Sequence, residues 1–145
     1  MQTFERQVEI RWSDLDPNQH LRHSVYYDWG AYMRMVMLSE AGMTTQALQT
    51  IGIGPILLRE ECVFRRELHF GDTVKINVQL VRCKRDMSRW TLRHEIYKNG
   101  DTLSAIITID GAWIDIAKRK LAVPPENFQQ GFHLIPKTAD FQFED

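Results

Sequence analysis

Ser24-Val25-Tyr26-Tyr27-Asp28-Trp29-Gly30-Ala31-Tyr32-Met33-Arg34-Met35-Val36-Met37-Leu38-Ser39-Glu40-Ala41 is the stretch on which the fold turns. Val25, Tyr26, Trp29, Tyr32, Met33, Val36 and Met37 recur at helical spacing, which predicts one long amphipathic helix over 24–41. Ser24 is the expected N-cap, because its hydroxyl can accept from a first-turn N–H, and Gly42 is the expected stop. The apolar stripe is rich in aromatics and methionine, so it calls for a broad, flat surface to pack on. A shorter helical piece is expected over 45–50, closed by Gly52.

Upstream of this helix, Phe4, Arg6, Val8, Ile10 and Trp12 share one parity. The pattern predicts a strand over 4–12 despite the polar Arg6. A polar loop follows, Ser13-Asp14-Leu15-Asp16-Pro17-Asn18-Gln19-His20. Downstream, residues 56–70 read as a long, partly irregular strand region, and Gly71-Asp72 marks a turn. Val74, Ile76, Val78 and Leu80 then alternate with polar residues, as do Trp90, Leu92, His94 and Ile96. Asn99-Gly100 predicts a tight hairpin, since both central positions of a type I′ turn need positive φ. Leu103, Ala105, Ile107 and Ile109 continue a last strand toward Asp115. The order is therefore strand, long helix and about four antiparallel strands, an α+β architecture of one helix against one curled sheet. The segment of about 117–145, with Pro124-Pro125, carries few periodic signals and reads as an arm on the body or on a partner.

The chain has 145 residues, enough for one domain and one core over 1–145. A net charge of −1 leaves no global field that would draw it to nucleic acid or anionic lipid. No basic run is interleaved with aromatics, so a nucleic-acid partner is not expected. No apolar stretch reaches the length of a membrane span. The start, Met1 to Arg6, lacks the basic and then apolar pattern of a secretory leader, so the expected compartment is the cytoplasm. The two cysteines, Cys62 and Cys83, fall in strand segments without zinc-like spacing and are expected to be buried free thiols.

The loop and helix together resemble a known family. Arg11-Trp12-Ser13-Asp14-Leu15-Asp16-Pro17-Asn18-Gln19-His20-Leu21, then Ser24-Val25-Tyr26-Tyr27-Asp28-Trp29, is similar to the Asp-x-Asp loop, Tyr and Trp of the 4-hydroxybenzoyl-CoA thioesterase-like (YbgC/acyl-CoA thioester hydrolase) family of hotdog-fold proteins. Phe64-Arg65-Arg66-Glu67-Leu68-His69-Phe70-Gly71-Asp72 resembles the family segment that ends in Gly-Asp before the third strand. The match in element order runs from about residue 4 to 116. One departure is His23, where many relatives carry Asn. The resemblance implies a hotdog fold, a long central helix wrapped by a curled antiparallel sheet. It also implies a homodimer or homotetramer with active sites at the subunit interface.

From the residues alone, Asp14 and Asp16 both read as turn residues bonding their own backbone. The resemblance keeps that reading for Asp14 and makes Asp16 the catalytic carboxylate, as nucleophile or as base for water. It assigns the backbone N–H at His23 to the thioester oxygen, and the neighbouring N–H of Ser24 belongs to the same first helical turn. Thioester hydrolysis needs such a carboxylate and such donors. His20 reads as a loop histidine or as a group that positions Asp16 or water. Tyr26 and Trp29 read as core or as acyl-pocket wall. CoA phosphates call for cations, for which Arg65, Arg66, Arg82, Lys84 and Arg85 are candidates. Each of these taken singly is better read as a solvated edge charge; taken together they are the candidates for a basic mouth.

The expected activity is hydrolysis of acyl-CoA or acyl-carrier-protein thioesters, with no cofactor beyond the CoA of the substrate. No metal is expected: His20 and His23 lie three apart in a loop with no further histidine or cysteine near them in sequence. A hotdog hydratase or dehydratase is the first rival. Its resembling motif, Asp-x-Asn-Pro-x-His, sets the histidine five residues after the aspartate, whereas His20 follows Asp16 by four. A non-catalytic acyl-thioester-binding module is the second.

Overall fold

The computed structural model describes residues 3–144. A short strand β1 (Glu5–Val8) leads through a 3-10 turn (Trp12–Asp14) to the long helix α1 (His23–Glu40) and the short helix α2 (Thr45–Ile51). Strands β2 (Ile53–Phe64), β3 (Val74–Asn77), β4 (Gln79–Lys84), β5 (Arg89–Lys98) and β6 (Thr102–Asp115) follow. The chain ends with β7 (Lys120–Leu121), α3 (Glu126–His133) and β8 (Lys137–Glu144).

Strands β3 and β4 are one extended run broken at Val78, whose N–H donates to Phe4 instead of to a ladder partner. Both pair antiparallel with β5, β5 pairs with β6, and β6 with β2. β1 lies antiparallel on β3, and β8 lies parallel on β4 along the same edge. The result is a curled sheet wrapped around α1, the hotdog fold. Val74, Ile76, Val78, Leu80, Ile96, Ile107 and Ile109 face the helix with no exposure at all. Burying each such side chain contributes about 1.5–3 kcal/mol, so the alternation seen in the sequence is the main source of the core.

α1 begins one residue earlier than its sequence pattern, and its N-cap is Arg22, not Ser24. Ser24 lies inside the first turn, where its Oγ accepts from Arg22 Nε at 2.9 Å. The inward face also differs from the apolar reading. Tyr32 is exposed, while Gly30, Arg34 and Leu38 are buried. Gly30 has a steric reason: a Cβ there would stand 3.2 Å from Arg34 Nη1 and 3.3 Å from His94 Cδ2. After Ala41 the chain turns through Gly42 at φ +87°, with Met43 N–H donating back to Leu38 O, so the helix stops where glycine permits it. Asn99 and Gly100 both have positive φ, 51° and 105°, as the hairpin requires.

The first strand is shorter than its alternation. It ends at Val8, and Trp12 is 82% exposed in the 3-10 turn. The cause lies two residues on, where Asp14 folds back to accept from the Arg11 backbone and draws the chain out of extended form. The C-terminal segment lies on the body of its own chain: Phe128, Phe132 and Ile135 are buried, and the Phe132 ring packs on Trp90 and Trp113. β2, by contrast, pairs among the described residues with β6 alone and exposes Leu57, Leu58, Val63 and Phe64. Cys83 is buried and Cys62 half-buried; both are free thiols. Burial pushes each thiol up to about 11. No helix among the described residues is long and apolar enough to cross a membrane.

Candidate active site

Asp14 and Asp16 lie two residues apart in the loop before α1, and their carboxylates meet different surroundings. Asp14 is buried. Its Oδ2 accepts from the Arg11 backbone at 2.9 Å, and its Oδ1 from Arg11 Nη2 at 2.9 Å. Burial pushes this carboxyl up, but the Arg11 hydrogen bonds and charge outweigh it and hold the group below its ordinary range. Asp14 therefore closes the loop.

Asp16 makes a tight turn of the residues after it. Its Oδ1 accepts the N–H of Asn18 at 2.8 Å and of His20 at 3.0 Å, while its own N–H donates to His20 O at 2.7 Å. Its Oδ2 accepts no hydrogen bond among the described residues. One oxygen thus fixes the carboxylate and the other is left for a ligand. Gln19 takes φ +66° to complete this turn.

The next segment, Leu21-Arg22, returns to the body through Leu21 N–H donating to Leu68 O and Arg22 N–H to Asp14 O. α1 then starts without a side-chain cap. Among the described residues the N–H groups of His23 and Ser24 meet no acceptor. They are the free donors of a helix start, at its positive dipole end.

Asp16, His20, His23, Tyr26, Phe64, Arg65, Arg66 and Glu67 line one open cleft of about 340 Å³. The Tyr26 ring meets Phe64 edge to face at 4.9 Å, giving the cleft an apolar wall. Burial pushes the Tyr26 phenol up to about 12, so it stays neutral. Arg65 and Arg66 are placed by their backbone: both N–H groups donate to Ser104 O, and Ser104 Oγ donates to Arg66 O at 2.7 Å. Neither guanidinium is paired with a carboxylate among the described residues.

The remaining candidates fall elsewhere. Trp29 is buried in the core beside Tyr26 and does not line the cleft. Arg82 is on β4, paired with Glu144 at 2.8 Å and Asp110 at 3.6 Å, and it lines a separate groove. Arg85 stacks on the Phe143 ring, and Lys84 lies in register with Glu144 of β8. The β8 strand, which had no sequence signal, claims Arg82 and Arg85 and lies beside Lys84 on this side of the sheet.

Two groupings escaped the sequence. The first joins the middle of α1 to β5. His94 is fully buried; its Nδ1 lies 2.8 Å from Asn77 O and its Nε2 3.1 Å from Arg34 Nη1, which fits a neutral ring donating from Nδ1 and accepting at Nε2. Burial, then the Arg34 charge, pushes this imidazole down to about 3. Arg34 Nη2 lies 3.6 Å from Glu60. The signal was present: a histidine on the same parity as Leu92 and Ile96. The second grouping sets His20 beside Glu67 and His69, not beside His23. Nothing in the spacing of residues 20, 67 and 69 announces it.

Among solved structures, the SAV2348 protein of Staphylococcus aureus, determined in complex with CoA, superimposes with a TM-score of 0.86 at 17% identity, over 91% of this chain and 82% of that one. Slr0204, a 1,4-dihydroxy-2-naphthoyl-CoA thioesterase from Synechocystis, gives 0.81 at 19%, over 91% and 96%. A DHNA-CoA thioesterase from Staphylococcus aureus gives 0.81 at 15%, over 92% and 90%. At these identities the likeness is one of fold. No curated protein sequence matches the chain. The family model described as the thioesterase-like superfamily matches residues 10–132, from just before the Asp14–Asp16 loop through strands β2 to β7 and into α3. A match over that span, on a hotdog fold, makes this chain a member of the thioesterase-like superfamily.

Proposed function

We propose that this protein hydrolyses acyl-CoA or acyl-carrier-protein thioesters, with Asp16 as its catalytic carboxylate. The observation that carries the reading is the split role of that side chain: Oδ1 is held by two backbone N–H groups while Oδ2 is free, in the cleft that also contains His23. In this reading Oδ2 attacks the thioester carbonyl carbon. The developing oxyanion is bound by the N–H groups of His23 and Ser24, the thiolate leaves with the C–S electron pair, and water then hydrolyses the acyl-aspartyl anhydride. The alternative route with the same groups has Oδ2 take a proton from water as the water attacks. No cofactor is needed, since CoA arrives as part of the substrate.

Arg65 and Arg66 supply unpaired cations at the cleft for CoA phosphates, and Tyr26 and Phe64 an apolar wall for the acyl group. Support also comes from the CoA bound to SAV2348 and the naphthoyl-CoA substrate of Slr0204. We infer a homodimer or homotetramer, because the β2 edge carries exposed Leu57, Leu58, Val63 and Phe64 and has no second partner strand among the described residues. Free thiols fit the reducing cytoplasm.

A thiol-release assay across aliphatic and aromatic acyl-CoAs, each compared with the Asp16→Asn protein, is the test. Release by the native chain and its loss in the variant are the expected results. Hydration of an enoyl-CoA without thiol release would replace this reading with a hydratase, and tight binding without turnover would replace it with a binding module.

A further inference from the structure

We propose that His20, Glu67 and His69 form a binding site for a divalent transition ion of the zinc class at the rim of the Asp16 cleft. The proposal goes beyond thioester hydrolysis and does not depend on it. His20 Nε2 lies 3.2 Å from Glu67 Oε2, and His69 Nε2 lies 3.8 Å from the same oxygen. The three potential ligand atoms all fall within 4.8 Å of one another. Zn–N and Zn–O bonds of about 2.0–2.2 Å in tetrahedral array set ligand atoms roughly 3.4 Å apart, so one of these gaps is at that value and small side-chain rotations close the others.

The backbone holds the trio in advance. His20 and His69 are partners in an antiparallel bridge, fastened by Leu21 N–H donating to Leu68 O at 2.8 Å. Directly opposed residues on one face bring their side chains together, and the two imidazoles meet edge to face at 4.9 Å. Glu67 is two residues before His69 in a near-extended segment, which puts it on the same face. Behind His69 stands Asp72. Its Oδ2 accepts the His69 N–H at 2.8 Å and lies 4.0 Å from Nδ1, the ring nitrogen turned away from Glu67. A carboxylate hydrogen-bonded to the far ring nitrogen is the usual support of a metal ligand; at 4.0 Å the bond is not made, and a small ring rotation would close the gap.

The competing account is a surface ion pair between His20 and Glu67, worth at most about 1 kcal/mol. That pair accounts for one histidine. It leaves out the second imidazole, which the His20–His69 bridge and the two-residue spacing from Glu67 bring to 3.8 Å from the same oxygen. Two imidazoles and one carboxylate suit zinc, cobalt or iron and do not suit magnesium or calcium, which take oxygen ligands. Three protein ligands leave a coordination position open, and His20 and Glu67 both line the cleft.

Untagged, chelator-treated protein is titrated with Co²⁺, reading its visible d–d bands, and with Zn²⁺ by calorimetry. One ion per chain is expected for each metal, with no competition from Mg²⁺. His69→Ala and Glu67→Gln should each weaken binding at least about 10-fold, the lower end for loss of even an outer-shell partner. His133→Ala, on α3, should leave it unchanged. Glu67 is exposed, so Glu67→Gln puts folding at little risk if His69→Ala proves unstable. Absence of bands and heat would overturn the proposal, as would an affinity unmoved by both substitutions.

Discussion

Two helices in this molecule begin differently. α2 starts at Thr45 behind a capping residue: the Thr44 side chain accepts the N–H of Ala47 at 3.1 Å, and Gly52 at φ +85° closes the other end. α1 starts at His23 behind Arg22, whose side chain accepts nothing and instead donates to Ser24 Oγ and Ser13 O. The capped helix has seven residues and the uncapped one eighteen. A long helix packed along the whole sheet does not need its cap for stability, since packing of the apolar face carries it. Its first N–H groups are then available, and His23 lines the same open cleft as Asp16. The contrast separates polar groups that complete the fold from polar groups left open to a ligand.

Asp16→Asn breaks the open end most directly. Asparagine retains Oδ1 as acceptor for Asn18 and His20, so the turn persists while the charge is lost. Turnover should fall by about 10²–10⁴-fold, the usual contribution of a general base, or further if Asp16 is the nucleophile. Binding of a non-hydrolysable acyl-CoA analogue should change far less. A turnover within twofold of the native protein, measured by thiol release, would make Asp16 a turn residue only.

Arg22→Ser tests the helix start itself. Serine at the N-cap offers Oγ to the N–H of Ser24 or Val25 and so gives α1 what α2 already has. If those donors serve the oxyanion, turnover should fall by up to about 10²-fold, the scale of one lost oxyanion donor. Thermal stability should hold or rise slightly, because the two Arg22 hydrogen bonds that disappear are exposed. Activity and stability moving in opposite directions is the signature; parallel loss of both would point to a disturbed loop.

Asp14→Asn addresses the closed member of the same loop. The buried carboxylate and Arg11 would lose a charge-assisted pair, and urea melts should register a loss of about 1–2 kcal/mol, with turnover per folded molecule little changed. The pH dependence has a definite sign. The folded carboxyl lies below its ordinary 3.8. As acid is added, the unfolded chain takes up the proton first, so this contribution is complete above about pH 4 and fades as pH falls through the depressed folded value. The native protein should lose stability in that window more steeply than the variant.

Much of this arrangement is legible in the chain, for local reasons. α1 is written in its 3.6-residue pattern, the strands in theirs, and Asn99-Gly100 in its tolerance of positive φ. Asp16 is legible through its resemblance to the family loop, whereas its split hydrogen bonding depends on backbone that no pattern encodes. The failures come from side chains that act over long sequence distances. Trp12 has a strand's parity, but Asp14 pulls its segment into a 3-10 turn. Arg34 has no place in an apolar stripe until His94 and Glu60, 60 and 26 residues on, are brought to it. β8 joins the sheet as a parallel strand on β4, where neighbouring chain segments give no cue, and it takes Arg82 away from the basic set near the cleft.

Thr44→Ala gives the smallest effect and sharpens the comparison from its other side. Among the described residues, the Thr44 Oγ1 to Ala47 bond is the only side-chain cap at the start of either α1 or α2. Removing it leaves α2 with open donors, as α1 has naturally. The cost should be about 1 kcal/mol, since cap residues replaced by alanine typically lose that much. α2 carries no acidic residue in its first turn, buries Leu48 alone of its residues, and contributes none to the Asp16 cleft. The new open donors therefore have nothing to act on, and thiol release by the folded protein should be unchanged. A chemical melt and a thiol-release assay on the same sample read both quantities. Should turnover drop together with stability, a free helix start would not by itself distinguish the active-site loop, and the cleft residues would depend on α2 through the Gly52–Ile53 junction into β2.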